Sequence, residues 1–213
     1  MKKGFTLIEM MIVVAIIAII AAIAIPSLLA ARRSALETNA TGSCRSYAGA
    51  QVMFKRNDWD GDGIMSYACP LAYLPAGAPA VALPVAPEPA AAGVTSFYLL
   101  NAMPDGAGLP IQLLDRAFAL ANAVASAKHG YWFQDIESIG GAAGVDLLAA
   151  EGWVNDYAIT AIPAVYGRTG YRTFIVSTNG TTFGLDRGPA ANSDVPVTDY
   201  PASPQADGWV VTE

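Results

Sequence analysis

The sequence has few of the residues that build enzyme sites. Its 213 residues include one histidine, which excludes a site with several histidine ligands, and two cysteines that do not form a C-x-x-C pair. The histidine, His129, has a serine three residues before it, a spacing that is common by chance. No lysine follows Gly140-Gly141, so this glycine pair indicates a turn and not a phosphate-binding loop. The sequence predicts a protein that is not an enzyme.

Positive charge is also scarce. The chain has 12 Lys and Arg against 18 Asp and Glu, which gives a formal net charge of −6. Proteins that hold nucleic acid do so largely through basic side chains on phosphates. The charge balance therefore argues against nucleic acid as a partner, and no specific nucleic-acid site is evident.

One uncharged apolar segment is long enough to cross a membrane. It covers the 22 residues from Met10 to Ala31, and about 20 apolar residues suffice to span a bilayer. The apolar region at 71–92 is interrupted by five prolines, which predict an extended, irregular loop. We therefore expect one membrane segment followed by one globular domain of about 150 residues.

A single carboxylate, Glu9, stands just before this apolar run. A charge at that depth costs on the order of 3 kcal/mol on insertion scales unless a positive group neutralises it. We therefore expect Glu9 to pair with a positive partner, such as a newly made amino terminus nearby. Three other interpretations of the segment stay open: a secretory signal, a plain membrane anchor and a buried core helix. Secretory signals have shorter apolar cores, and a plain anchor leaves Glu9 unexplained.

The residues Lys-Lys-Gly4-Phe5-Thr-Leu-Ile-Glu9, followed by an apolar run, resemble the class III signal of type IV pilins and pseudopilins. The resemblance implies that a prepilin peptidase cuts between Gly4 and Phe5 and methylates the new amine of Phe5. Glu9 and Pro26 then match the positions where members of the family usually carry Glu and Pro. The resemblance thus implies filament assembly through Phe5, Glu9 and Pro26.

For function, the resemblance implies a structural subunit of a bacterial type IV pilus or a related helical filament. The prepilin would lie in the inner membrane, and the assembled filament would be extracellular or span the periplasm. The implied partners are further copies of the chain, the prepilin peptidase, an inner-membrane assembly platform and an outer-membrane secretin. Two alternatives stay open: a type II secretion pseudopilin, and a membrane-anchored adhesive or binding domain.

Beyond Ala31 the apolar pattern becomes one-sided, with apolar residues recurring every three or four positions up to Phe54. A helix from Phe5 to about Asn57 would be roughly 80 Å long, which suits a filament spine. The predicted division is a leader at 1–4, a transmembrane or filament-core half of the spine helix at 5–31, an amphipathic half at 32–57 and a globular head domain at 58–213.

The head is predicted to contain a helix and a sheet. The helix is expected from about Pro110 to Lys128, closed by His129. Strand signals lie at 131–136, 157–162, 172–177 and 181–186, with Asn179-Gly180 as a hairpin turn between the last two. Trp209-Val-Val is a candidate edge strand. The expected fold is α+β: a long amino-terminal helix, its apolar half protruding, packed on a small globular domain with a four-stranded antiparallel β-sheet.

Cys44 and Cys69 lie 25 positions apart in what is expected to be an exported domain, where oxidation is favoured. We expect a disulfide between them, which would stabilise the fold by roughly 3 kcal/mol in the chain-entropy model. Two separate buried thiols are the alternative.

An acidic loop follows the spine helix. The residues Asp58-Trp-Asp60-Gly-Asp62-Gly reproduce the first half of a calcium loop, in which Asp58, Asp60 and Asp62 supply carboxylate oxygens and Ile64 a backbone carbonyl. The twelfth position, where a bidentate glutamate belongs, is Cys69, so a remaining ligand must come from elsewhere or from water. We expect Ca²⁺ as a cofactor, with a solvated acidic turn as the alternative.

Overall fold

The longest element is a single helix that contains nearly a quarter of the chain. The computed structural model describes residues 5–57, 65–68, 95–96, 100–101, 112–141, 145–147, 155–189 and 195–212. Helix α1 covers Leu7–Asn57, 51 residues, and is about 75 Å long at 1.5 Å per residue. Pro26 lies inside it. The predicted helix is therefore confirmed to within two residues.

The two halves of α1 differ in burial. Residues 5–32 are exposed, apart from the partly buried Ala21. The buried residues of the helix begin at Glu37 and include Cys44, Tyr47 and Phe54. They recur three or four positions apart, so one face of the second half lies in the core of the head.

Four long strands form the main sheet, and their bounds agree with the predicted ones to within one residue. They are β1 (Tyr131–Asp135), β4 (Ala158–Pro163), β5 (Arg172–Ser177) and β6 (Thr182–Asp186). β8 (Val210–Val211) adds a fifth strand at the edge, in the order β1-β4-β5-β6-β8 with every pair antiparallel. Gly180 has a φ of +70° in the predicted turn between β5 and β6, which favours glycine.

Both faces of this sheet are covered. On one face, Phe133 packs edge-on against Phe118, and Phe118 packs against Tyr47 of α1. Trp132 and Ile175 alternate onto the opposite face, where they are also buried. All six residues of β4 are buried as a result. This burial explains why apolar and polar residues do not alternate cleanly along the strands.

A second, smaller sheet was not predicted. It contains β2 (Ser138–Ile139), β3 (Val145–Asp146) and β7 (Asp199–Tyr200) in the order β3-β2-β7, with β2 antiparallel to β3 and parallel to β7. Each strand has two residues, which is too short for a period of two to show in the sequence.

The helix predicted from Pro110 to Lys128 is wrong in length, because the helix in the structure is much shorter. The described part of this region contains helix α2 (Arg116–Ala119) and one 3₁₀ turn (Val124–Ser126). Asp115 caps α2 by accepting a bond from the Phe118 backbone N–H, 2.9 Å.

Tertiary hydrogen bonds explain why the helix is short. The Leu113 N–H donates to the Leu100 carbonyl, 2.9 Å, and the Phe133 N–H donates to the Ala121 carbonyl, 2.7 Å. These bonds replace helical ones on both sides of α2. His129, with a φ of +50°, lies in the turn before β1 and does not close a helix.

Candidate functional site

The amino terminus of α1 is closed by reciprocal bonds between Thr6 and Glu9. The Thr6 backbone N–H and hydroxyl both donate to Glu9 Oε2, at 2.8 and 2.7 Å. The Glu9 N–H donates back to Thr6 Oγ1, 3.3 Å. This is a capping box, which satisfies N–H groups that have no partner inside the helix. The Thr-x-x-Glu pattern is the sequence signal of this cap, and the cap gives Glu9 a local role beside the predicted one.

The apolar half of α1 presents its side chains to the outside along its whole length. Phe5 is 76% exposed, and Gly4 lies outside the described residues. The helix is long and apolar enough to cross a membrane, with a mean hydropathy of 3.0 over 18 residues that are not buried at all. An apolar surface this continuous marks contact with a membrane or another protein.

The head is fastened to α1 just beyond this apolar half. We define the junction loop as residues 164–171, which connect β4 to β5. Arg33 donates to the Gly167 carbonyl, 2.9 Å, and its guanidinium lies 4.8 Å from the ring centre of Tyr171 and bonds the Tyr171 hydroxyl. A cation over an aromatic face is attracted by the ring quadrupole.

Glu37, one turn beyond Arg33, fixes the same region. Its carboxylate accepts a bond from the Tyr171 N–H, 2.9 Å, and from Arg172 through Nε, 2.9 Å, and Nη2, 2.8 Å. Glu37 is 9% exposed, and a carboxylate so buried requires this pairing. Arg33 and Glu37 together set the position of the head on the helix.

A series of hydrogen bonds between buried polar groups attaches two further segments, at Ala68 and Ser96, to α1. Gln51 donates to the Tyr47 hydroxyl, 2.7 Å, and exchanges two bonds with the Ala68 backbone, 2.9 and 3.0 Å. The Tyr47 hydroxyl lies 2.7 Å from Ser96 Oγ. Asp135 accepts bonds from the Ser96 hydroxyl and from the Ser96 N–H, the latter at 2.8 Å. Loss of hydration raises the pKa of Asp135 to about 6, against the lowering effect of these bonds.

Two groups of predicted site residues lie wholly or partly outside the described residues. Asp58, Asp60, Asp62 and Ile64 of the expected calcium loop are among them. Within the described part of the chain, no three His, Cys, Asp or Glu side chains are close enough to hold a metal ion.

Cys69 also lies outside the described residues. Cys44 is fully buried and has no disulfide partner among the described residues, and as a free thiol its pKa is raised by burial to about 12. The calcium site and the disulfide stay predictions.

Comparison with known proteins finds two matching sequence families. Residues 1–25 match the "Prokaryotic N-terminal methylation motif". Residues 27–200 match the family described as "Protein of unknown function (DUF2950)".

The chain is similar to the "Type IV wide pilus major component PilA4" of Thermus thermophilus. The two are 53% identical over 53 residues, which are 25% of this chain and 40% of the relative. The match thus spans about two fifths of the relative's length. No solved structure matches. The chain therefore carries the class III signal of a type IV pilin-like protein and, over most of its length, belongs to the DUF2950 family.

Proposed function

We propose that the protein is a structural subunit of a type IV pilus or a related bacterial filament, assembled through α1 after cleavage between Gly4 and Phe5. The observation that carries the proposal is the exposed apolar half of α1, which begins at Leu7 and ends at Ala31 and lies mostly within the matched methylation motif, residues 1–25. The similarity to a major pilus component of Thermus thermophilus supports it. The proposed role is structural and involves no catalysis.

The apolar half requires an apolar environment at every stage. Before assembly, it holds the subunit in the inner membrane with the head outside. During assembly, the helices leave the lipid and pack on one another, so the apolar surface stays away from water. Burial of this kind contributes roughly 25 cal/mol per Å², and we propose it as the main force that holds the filament together.

Glu9 is proposed to select the position of each incoming subunit. Its carboxylate would pair with the methylated amine of Phe5 in a neighbouring copy, which neutralises both charges in the apolar interior. Both bonds from Thr6 end on Glu9 Oε2, and a carboxylate has a second oxygen that can accept a bond from the amine. Capping within one chain and pairing between chains are therefore compatible.

Pro26 has a separate proposed role. It has no N–H to donate within α1, so the preceding turn is a natural place for the helix to bend or unwind in the filament. The proposed partners are the prepilin peptidase, an assembly platform in the inner membrane, a secretin in the outer membrane and further copies of the chain. The filament would be extracellular or span the periplasm.

Electron microscopy of surface material sheared from cells tests the function. Fibres that contain this subunit, and that disappear when its gene is deleted, are expected for a pilus subunit. An absence of fibres, with protein secretion lost on deletion, would instead identify a type II secretion pseudopilin. A chain that stays in the membrane as a monomer with no effect on secretion would support an anchored adhesive domain.

A further inference from the structure

The junction loop lies at the level where α1 would leave a bilayer. The uncharged run from Met10 to Ala31 is about 33 Å long as a helix, and a hydrocarbon core is about 30 Å thick. Arg33 follows Ala31 by two residues, or about 3 Å along the axis, and it contacts Gly167 and Tyr171 directly. A membrane spanned by this run therefore brings the loop to its lipid headgroups.

The side chains of the loop suit that position. Val165 is 46% exposed and Tyr171 is 39% exposed. Tyr166 packs edge-on against Tyr171, with 5.3 Å between the ring centres, and Arg168 is exposed. Tyrosines are enriched at membrane interfaces, because their rings are apolar and their hydroxyls are polar.

The charge around the loop is positive in a chain that is acidic as a whole. Arg32 and Arg168 are exposed, and Arg33 lies between the helix and the loop. Among the described residues, two carboxylates are near. Glu37 accepts bonds from Arg172 and the Tyr171 N–H, and Asp186 accepts a bond from the Tyr166 hydroxyl, 3.1 Å. Arg32 and Arg168 are therefore exposed and form no ion pair with an acid of the described residues.

The loop is also held in one shape. The Gly167 N–H donates to the Gly170 carbonyl, 2.8 Å. The Val165 N–H donates to Thr169 Oγ1, 3.0 Å. Gly170 lies so close to Tyr131 that an added Cβ would stand 1.9 Å from the tyrosine oxygen. A loop fixed in this way presents Val165 and Arg168 without the entropic cost of ordering them on contact.

We propose that the junction loop, together with Arg32, is a membrane-interface surface that binds anionic phospholipid headgroups while the subunit is in the membrane. Val165 and the two tyrosines enter the headgroup region, and Arg32 and Arg168 bind lipid phosphates. The inference rests on the membrane stage of the proposed function. It goes further by assigning the head a lipid contact that holds it against the bilayer before assembly.

Site-specific photocrosslinking of the full-length chain in nanodiscs tests this surface. The photoreactive residue benzoylphenylalanine is placed at position 165. It is placed at 23 as a control inside the apolar half, and at 116 as an exposed control. Helix α2, which contains residue 116, contacts Tyr47 through Phe118, about 21 Å farther along α1 than Arg33. The nanodiscs contain phosphatidylcholine, either alone or mixed with phosphatidylglycerol, and mass spectrometry identifies the adducts.

We expect phospholipid adducts at 23 and 165 and none at 116, with a higher yield at 165 when phosphatidylglycerol is present. Phosphatidylglycerol should raise the adduct yield at 165, and Arg168→Glu should reduce this increase by about fivefold or more. One basic group near an anionic surface changes binding by about that factor. Arg116→Glu, with the same charge change, should leave the yield unaltered.

The outcomes separate this inference from the proposed function. An adduct at 23 without one at 165 would overturn the headgroup contact and leave the membrane stage intact. Adducts at 165 that join two protein chains would identify the loop as a subunit contact and overturn lipid binding. Absence of lipid adducts at both 23 and 165 would reject the membrane stage and the inference with it. Equal yields with and without phosphatidylglycerol would refute the anionic specificity.

Discussion

At the scale of single residues, Glu9 has an observed capping role and a proposed pairing role, and a matched pair of substitutions tests the two. Glu9→Gln keeps a side chain that completes a capping box but removes the charge, whereas Glu9→Ala removes both. We expect both variants to be cleaved between Gly4 and Phe5 and both to lose filaments, because neither neutralises the amine of a neighbouring Phe5. Electron microscopy of sheared material and the mass of the mature chain measure the two outcomes.

Two results would contradict the proposed pairing of Glu9. Normal filaments in Glu9→Gln with none in Glu9→Ala would show that capping, and not charge, is what assembly requires. Normal filaments in Glu9→Ala would remove the pairing argument altogether.

Asp135 gives a prediction about pH. Loss of hydration raises the pKa of its carboxyl from 3.8 to about 6 in the folded protein, so the folded state binds a proton more tightly than the unfolded state. The contribution of this group to stability is therefore fully present below about pH 4 and is lost as the pH rises through about 6. The free energy of unfolding falls by at most about 3 kcal/mol over this range. Denaturant midpoints of the full-length protein between pH 4 and 7 measure the trend.

Asp135→Asn is the matched control for that trend, because the amide has nearly the same shape and does not titrate. Its stability should lack the decline between pH 4 and 6 that the unmodified protein shows. An equal decline in both proteins would assign the pH dependence to other groups.

At the scale of elements, two glycines respond to the same substitution in opposite ways. Gly170→Ala places a Cβ 1.9 Å from the oxygen and 2.7 Å from the Cζ of Tyr131, a fully buried residue whose hydroxyl donates to the Arg172 carbonyl. We expect a loss of stability of about 1–3 kcal/mol, because Tyr131 is packed in the core.

Gly49→Ala tests the opposite case. A Cβ at this exposed helical position meets nothing within 4 Å, so we expect a gain of about 1 kcal/mol from helix propensity. Chemical unfolding of the two variants measures both effects. A Gly170→Ala protein as stable as Gly49→Ala would contradict the close packing of the junction loop on β1.

The elements that were predictable are those whose signal is local. The four long strands each contain five or six residues, so apolar and β-branched residues could reveal them. The short helix α2 depends on bonds to the distant Leu100 and Phe133, and no local pattern contains them. Glu9 stood out because a charge beside an apolar run is costly. The bond from Arg33 to Gly167 joins residues 134 positions apart, which the sequence alone does not bring together.

At the scale of the whole molecule, the predicted calcium loop connects α1 to the rest of the head. Three carboxylates within five residues repel one another unless a cation neutralises them. We propose that Ca²⁺ binds there, and we expect millimolar Ca²⁺ to raise the melting temperature of the full-length protein relative to a chelator. Asp60→Asn should abolish most of this rise, whereas Asp207→Asn, elsewhere on the surface, should preserve it. An identical melting temperature with Ca²⁺ and with chelator would reject the site.

The continuity of α1 also fixes the orientation of the head, about the helix axis, relative to the apolar half. Arg33 and Glu37 lie one helical turn apart and bond to the same loop. These bonds fix the orientation of the head about the helix axis. As long as α1 stays a continuous helix, any rotation of the apolar half about its axis therefore rotates the head by the same angle. One residue inserted just before Arg33 would rotate the head by about 100° relative to the apolar half. The number of residues between the apolar half and Arg33 therefore sets the direction in which each head points around the filament axis.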